Sequence, residues 1–353
     1  MPGSGDRGGR TLVTLAAGVV VVAGLKAAAS IALPFLFAVF LTVLATPPLL
    51  WIERRGIPPV LAVIPVVLVL LGALALFGAL LTASLDRFAD TLPAYRAALE
   101  AMFLDSLQWL RRHGVGVPLS GYAESFDPAD VVDMVGTLAG ATVAALSNTA
   151  LVLLTTLFML LEVAGFPRKV RVAMGRPEAE FAAGRTMLVD VQRYLAIKTG
   201  ISLLTGVAVA LLCLLVGLDF PLLWGLVAFL CNYVPNIGGF VAAVPTLLVA
   251  LVQPGLGTGA MFVIGLGHAL IHTVIGNIVE PAWMGRKLGL SPLVVLLCLV
   301  FWGWLWGPVG MLLSVPLTMA VKIALESDES LQWIAVLLGP TPPEPKLQPR
   351  SRS

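Results

Sequence analysis

The sequence predicts an all-α polytopic membrane protein with about eight transmembrane spans, because of its composition and the length of its apolar runs. Hydrophobic residues make up 58% of the 353-residue chain, charged residues make up only 12%, and the mean hydropathy is +0.96. A soluble domain carries charges on roughly a quarter of its residues. The few charges here cluster between long apolar runs, so lipid is the solvent that suits this chain.

Eight apolar runs are each long enough for a bilayer core, which takes about 20 helical residues. Three lie at the N-terminus, within 11–82, and five lie in a C-terminal core over 147–325. The ordinary runs cover 11–29, 31–50, 58–82, 147–165, 199–217 and 258–279, and two longer runs cover 222–252 and 293–323.

The loop charges predict that both termini lie in the cytoplasm. With residues 1–10 inside and eight crossings, 15 of the 22 lysines and arginines fall in cytoplasmic segments, as the positive-inside rule requires. These include the basic loop from Arg168 to Lys198, which we expect to contact anionic lipid headgroups. The Pro-rich tail, 326–353, is expected to be disordered. A cleaved signal peptide ending near Ala27–Ala29 is an alternative that leaves the later topology unchanged.

The segment 83–146 is the only sizeable polar region that this topology places outside. Its apolar residues follow a 3–4 spacing, which puts one stripe on a helix. The stripe consists of Leu85, Phe88, Leu92, Tyr95, Leu99, Met102 and Trp109. Such a helix would lie on the membrane or on its own transmembrane core. The alternative is a contact between subunits of a homo-oligomer, because a heptad seam can pair with a copy of itself.

The two longest runs resemble each other at an offset of 71 residues. In 221–245 and 292–316, Pro221 matches Pro292 and Gly239 matches Gly310. Each run exceeds one span and is interrupted centrally by residues that free backbone groups. The interruptions are Pro235, Gly238 and Gly239 in the first run, and Gly303, Gly307 and Pro308 in the second. Two broken spans would give a parallel repeat, whereas re-entrant hairpins would change both the crossing number and the symmetry.

The broken segments point to a solute site, because free backbone at membrane depth must line protein or a watery cavity. Polar side chains inside the apolar runs support this interpretation. His268 and His272 share one helix face, and Asn277 and Glu280 follow on the same segment. Intramembrane ionisable groups are functional candidates because burying them is expensive. The alternative for the histidines is a structural hydrogen bond between helices.

Other chemistries are not supported by the sequence. A metal site is not expected, since a histidine pair without a third ligand is insufficient for catalytic zinc. The chain has no HExxH, P-loop or GxSxG motif, so we expect neither an enzyme nor a cofactor. The net charge of +2 shows no nucleic-acid footprint. Cys213, Cys231 and Cys298 all lie in apolar runs and are expected to be buried hydrophobes.

Several motifs resemble the autoinducer-2 exporter-like (AI-2E) family. They are YVPNIGGF at 233–240, NIVEPAWMGRKLGLSPL at 277–293, FWGWLWGPVGMLLSVPL at 301–317 and RYLAIKTG at 193–200. The resemblance extends over about residues 30–325. It implies a bacterial inner-membrane transporter. The motif positions that it implies as core or pathway residues are Tyr233, Pro235, Gly238, Gly239, Asn277, Glu280, Pro281 and Gly285.

The leading functional prediction is export of a small polar solute, such as autoinducer-2 or a related signal, by alternating access. Asn236, Asn277 and freed backbone groups would bind the solute, and His268, His272 or Glu280 would couple its movement to protons. One alternative is a sodium(lithium)/proton antiporter. A third, of another class, is a membrane scaffold or regulator without flux.

Overall fold

The structure, a computed structural model, describes residues 5–113, 149–163, 169, 178–235, 237–284, 290–326 and 331–339. All regular elements of this described part are helices, which confirms the all-α prediction. The bounds are α1 Gly5–Ala27, α2 Ala29–Glu53, α3 Pro59–Arg112, α4 Thr149–Val163, α5 Glu178–Val216, α6 Pro221–Cys231, α7 Gly238–Val252, α8 Gly257–Ile271, a π-helical segment His272–Val279, α9 Glu280–Met284, α10 Pro292–Glu326 and α11 Gln332–Leu338.

Five of the described helical segments are long and apolar enough to cross a membrane. They are Ala29–Glu53, Pro59–Arg112, Val189–Val216, Gly257–Met284 and Pro292–Glu326. Shorter apolar helices lie at Ala16–Ala27, Thr149–Val163, Pro221–Cys231 and Gly238–Val252. Large apolar side chains such as Leu68 and Phe262 are exposed on the outer faces, at 60% and 76%. This inside-out pattern confirms a polytopic membrane protein.

Helix α3 has 54 residues and would be about 80 Å long, far more than a bilayer core of about 30 Å. Its second half is the predicted amphipathic segment, and Phe88 and Tyr95 are 6% and 3% exposed. Phe88 packs edge-to-face on Phe220 and Trp224, with ring centroids 5.7 Å apart in both cases. The near part of the stripe therefore packs on the transmembrane core, as one of the two alternatives predicted.

The far part of the same stripe does not reach that core. Met102 is 37% exposed and Trp109 is 58% exposed in the single chain. The Trp109 ring stacks on His113, four residues further along the chain, with the two ring centroids 4.2 Å apart. Residues 114–146, the remainder of the predicted external segment, lie outside the described part of the chain.

Helices α6 and α7 form a helical hairpin, which we call hairpin 1. Gln253, directly after α7, joins the end of α7 to the residues just before α6. Its side-chain oxygen Oε1 accepts a hydrogen bond from the Asp219 N–H at 2.8 Å, and its side-chain nitrogen Nε2 donates one to the Gly217 carbonyl at 2.9 Å. Both ends of the hairpin therefore lie at one end of the molecule. Tyr95 of α3 donates a 2.6 Å hydrogen bond to Asp219 Oδ2 at the same end.

Helix α10 also folds back on itself and forms hairpin 2, with limbs 292–306 and 308–326. Gly307 lies between the limbs in a conformation with φ 66°, which only glycine adopts readily. Trp302 Nε1 donates to Thr318 Oγ1 at 3.0 Å across the limbs. In one straight helix these residues would be about 24 Å apart along the axis.

The two hairpins open at opposite ends of the molecule. Gly257–Met284 is a single helical segment of 28 residues that begins beside the base of hairpin 1 and ends before hairpin 2. At about 1.5 Å per residue it spans about 42 Å. Of the two alternatives for the repeat, the structure has the hairpins, so the parallel arrangement of broken spans is not formed.

Candidate functional site

The tip of hairpin 1, of which residues 232–235 and 237 are described, lies beside α5 and the π-helical segment, with Tyr233 buried and Ile237 exposed. Its tight turn depends on Gly238, since a Cβ there would overlap the Cys231 carbonyl. Gly239 is equally constrained from outside the hairpin, because its Cβ would lie 2.7 Å from the His272 ring. The glycines predicted at this break therefore allow the tip to close and allow the next helix to approach it.

A buried ion pair lies between the two helices beside this tip. Lys198 Nζ on α5 is 2.6 Å from Glu280 Oε1 on α9, and the two side chains are only 5% and 21% exposed. Taking two charges out of water costs more than their attraction returns unless further partners satisfy them. A pair at this depth is therefore weak evidence for stability and a candidate for function.

Hydrogen-bonding side chains continue from the ion pair along the seam between α5 and hairpin 1. Tyr233, 6% exposed, donates to Thr199 Oγ1 at 2.8 Å. One residue earlier, Asn232 Nδ2 donates to the fully buried Ser202 Oγ at 3.0 Å. Tyr194, one turn before Lys198 on α5, interacts electrostatically with Glu280. Together these groups supply both donors and acceptors at one depth in the core.

The two histidines face the other limb of hairpin 1. The Thr246 hydroxyl donates to the Ala243 carbonyl at 2.7 Å, so it accepts from His268 Nε2, which is 3.1 Å away. The His268 and His272 rings are 6.1 Å apart at an interplanar angle of 28°, which confirms that they share a face. Within the described residues, His268 Nδ1 and His272 Nε2 are buried without a hydrogen-bond partner.

The predicted site residues divide into three groups. Those brought together near the tip of hairpin 1 are Tyr233, Pro235, Gly238, Gly239, His272 and Glu280, whereas His268 lies further along the second limb, at Thr246. Asn277 and Pro281 lie on the same helical segment as Glu280, but they are exposed on the surface of the single chain. Asn236 and Gly285 lie outside the described residues.

Comparison with known proteins gives the family. A family model described as AI-2E family transporter matches residues 15–328. The AI-2 transport protein TqsA of Escherichia coli K12 is 42% identical over 321 residues, which cover 91% of this chain and 93% of that protein. The chain belongs to the AI-2E family of transporters.

Two further relatives carry the name putative transport protein. YhhT of Escherichia coli K12 is 39% identical over 336 residues, which are 95% of this chain and 96% of the relative. A protein of Haemophilus influenzae is 38% identical over 337 residues, which are 94% of this chain and 96% of the relative. The resemblance inferred from the motifs is thus confirmed over nearly the whole chain, and this AI-2E protein is a membrane transporter.

Lys198, at the end of the basic segment predicted to contact lipid headgroups, does not face lipid. It lies within helix α5, 4% exposed, and is paired with a residue 82 positions away. One signal could have revealed this: Lys198 is the last charge before an apolar run that continues to 217, and it lies within the family motif RYLAIKTG. A lysine that close to a membrane run requires an internal partner or access to water.

The segment that carries His272 and Glu280 is wound irregularly. Residues His272–Val279 form a π-helix between α8 and α9. π-Helical turns are rare, and they are frequent at functional sites, because the wider turn shifts the register of side chains and leaves backbone groups less regularly paired. The irregular turn here begins at His272, the histidine whose ring lies close to Gly239.

The arrangement can bind a polar solute, and it contains no metal-ligand cluster among the residues that the structure describes. Cys213, Cys231 and Cys298 are free and buried, as expected. The groups at the tip of hairpin 1 form hydrogen bonds and one ion pair, and they surround a break in a helix. This is the kind of place where a transporter holds its solute.

Proposed function

We propose that this AI-2E protein is a secondary transporter, not an enzyme, that exports a small polar solute across the bacterial inner membrane. Both termini would lie in the cytoplasm, as the loop charges predict. Hairpin 1 would then open toward the outside and hairpin 2 toward the cytoplasm. The site at the tip of hairpin 1 would lie between the two aqueous phases.

One observation carries this proposal: the buried ion pair and the hydrogen-bonding side chains meet at the tip of a broken helix. Fixing polar groups in the core of a membrane protein is costly, and a purely structural hairpin does not need them. Hairpin 2 has its own tip, and that tip is packed by apolar residues. The polar tip of hairpin 1 is therefore the better candidate for solute binding.

The neighbouring groups favour an uncharged or weakly charged solute that carries hydroxyl or carbonyl oxygens. Asn232 donates to Ser202 and Tyr233 donates to Thr199, so a solute could exchange bonds with these groups without leaving them unpaired. Movement of hairpin 1 against α5 and the π-helical segment would expose the site alternately to either side.

The test is solute flux in proteoliposomes that contain the purified chain, with empty vesicles as the blank. Labelled autoinducer-2 is the first probe, because the relative TqsA is named for AI-2 transport. We expect accumulation that depends on an imposed ion gradient. Asn232→Leu should reduce the flux about tenfold or more, because it removes a buried donor.

Asn277→Leu makes the same substitution at an asparagine whose side chain is exposed on the single chain, and it serves as the comparison for Asn232→Leu. Loss of flux in Asn232→Leu alone would support the tip of hairpin 1 as the site. Loss in Asn277→Leu alone would move the site to the exposed face of the π-helical segment. Flux that is unchanged in both variants would remove both asparagines from the pathway.

A second candidate function, sodium(lithium)/proton antiport, is favoured by one observation: Glu280 is a carboxylate in the interior. Because Lys198 already neutralises it, a metal cation could bind there only after the ammonium moved away. Antiport predicts proton movement triggered by sodium or lithium without any solute. If those ions move no protons while autoinducer-2 is transported, this candidate is excluded.

A further inference from the structure

We propose that the Lys198–Glu280 ion pair couples solute movement to protons. Glu280 is the proton-binding group, and Lys198 is a tethered counterion that keeps the empty site neutral. The solute and the proton exclude each other at Glu280, so the transporter exchanges one for the other. This inference rests on the proposed function and deepens it by naming the coupling group.

The first argument is how deeply this pair is buried compared with two other ion pairs of the described chain. Lys169–Glu162 is 70% and 48% exposed, and Lys322–Glu326 is 18% and 31% exposed. Lys198–Glu280, at 5% and 21%, is the most buried of these three. Replacing a buried ion pair by apolar side chains of similar size is often neutral or stabilising, so stability does not explain why this pair exists.

The second argument is the unused hydrogen-bonding capacity of the pair. A lysine ammonium has three N–H donors, and a carboxylate has two oxygens. In the described structure, one bond joins Lys198 Nζ to Glu280 Oε1. The remaining donors and acceptor can bind a neutral solute that offers both hydroxyl hydrogens and oxygen lone pairs. Such a solute bridges the charged pair without changing its net charge.

The third argument follows from proton binding. A proton on Glu280 removes its negative charge and one acceptor, so the solute loses a partner and the Lys198 ammonium loses its counterion. A buried ammonium without a counterion is unfavourable, and the long lysine side chain then moves toward water. The proton-loaded site thus differs from the solute-loaded site in both charge and geometry, as exchange requires.

Other titratable side chains of the described chain lie near the pair on several elements. Tyr194 on α5 interacts electrostatically with Glu280, with Cys298 of hairpin 2 and with Tyr233 of hairpin 1, and His272 on the π-helical segment interacts with Lys198. Phenols and thiols ordinarily titrate well above neutral pH, whereas imidazole titrates close to it. His272 is therefore the one competing proton site that the test must separate from Glu280.

The test uses full-length protein in proteoliposomes with a pH-sensitive dye inside and labelled autoinducer-2 as the probe. In the wild type, a solute gradient should drive proton movement in the opposite direction. The apparent affinity for the solute should weaken as the pH falls, by up to about tenfold per pH unit when one proton competes. Glu280→Gln should abolish solute-driven proton movement, and any flux that remains should be independent of pH.

Three further variants keep the test decisive. The swapped variant Lys198→Glu/Glu280→Lys retains a neutral pair and a carboxylate, so it should recover proton movement that Glu280→Gln lacks. His272→Gln should retain solute-driven proton movement. Glu162→Gln, in the exposed pair, should behave as the wild type.

Solute-driven proton movement in Glu280→Gln overturns the inference, and its loss in His272→Gln at the same time would assign the proton to His272. Solute flux without proton movement in the wild type also overturns the coupling while leaving solute transport intact. Absence of solute flux in the wild type is a different result, because it contradicts the proposed function itself.

Discussion

Hairpin 1 and hairpin 2 share one way of folding and differ in what surrounds them. In both, a glycine packs against the carbonyl of a residue in the preceding limb: Gly238 on Cys231, and Gly310 on Trp302. Cys231 and Trp302 are 71 positions apart, the offset of the sequence repeat, whereas Gly238 and Gly310 are 72 apart, so the second turn is one residue longer. The two copies of the repeat therefore form similar turns of unequal length, in which only a residue without a Cβ allows the limbs to approach so closely.

Their surroundings are different in polarity. Hairpin 1 contacts an ion pair, two histidines and a row of hydroxyl and amide groups. Hairpin 2 packs Trp302, Leu305 and Trp306 against apolar residues of α1 and α2, and Trp306 Nε1 donates to the Leu25 carbonyl at 3.1 Å. In the proposed transport role, hairpin 2 belongs to the apolar scaffold and hairpin 1 carries the polar groups that bind the solute.

The largest expected effect comes from breaking the ion pair on one side. Lys198→Met leaves Glu280 buried without its counterion, and we expect a loss of about 3–5 kcal/mol of stability. The double variant Lys198→Met/Glu280→Met removes both charges and should be close to the wild type in stability. Thermal unfolding in detergent would measure both variants.

The same measurement on Lys169→Met, which breaks an exposed pair, should show a loss of stability of about 0–1 kcal/mol. If the single variant Lys198→Met is as stable as the double variant, the ion pair is not buried in the way that the structure indicates. The buried ion pair would then no longer distinguish the surroundings of hairpin 1 from those of hairpin 2.

The second effect tests the shared turn. Gly238→Ala and Gly310→Ala should each lower stability by about 1–3 kcal/mol or more, because the added Cβ would overlap a backbone carbonyl that cannot move alone. Gly72→Ala is the control, since a Cβ at Gly72 meets no atom within 4 Å. Unfolding temperatures that fall for only one of the two hairpin variants would mean that the two copies of the repeat do not form similar turns.

How much the sequence could predict is clearest at these positions. The glycine breaks, the stripe on α3 and the shared face of the histidines follow from local spacing, and each is present. The choice between broken spans and hairpins does not follow from local spacing, because it depends on bonds between distant residues, such as Asp219 with Gln253. The burial of Lys198 is not predictable for the same reason, since only the fold brings Glu280 to it.

A smaller effect is expected when one threonine from each hairpin is replaced by valine. Thr246 accepts from His268 Nε2, and Thr318 accepts from Trp302 Nε1. Replacing either threonine by valine leaves a buried ring N–H unsatisfied, at a cost of about 1–3 kcal/mol. We expect both variants to be less stable, but only Thr246→Val to alter solute flux, because only His268 neighbours the site. Altered flux in Thr318→Val alone would assign the site to hairpin 2.

The smallest effect concerns the base of hairpin 1, where Tyr95 of α3 donates to Asp219 at 2.6 Å. Tyr95→Phe removes this bond and should cost about 1 kcal/mol. Burial, the hydrogen bond to Asp219 and the Asp219 charge all raise the pKa of Tyr95 above its ordinary value. The folded state therefore holds the phenolic proton to higher pH than the unfolded state, and its stability falls as the pH rises above the ordinary tyrosine range, about 10. Unfolding temperatures should decline less steeply at alkaline pH in Tyr95→Phe than in the wild type, and equal slopes would show that α3 does not hold the base of hairpin 1 through this phenol.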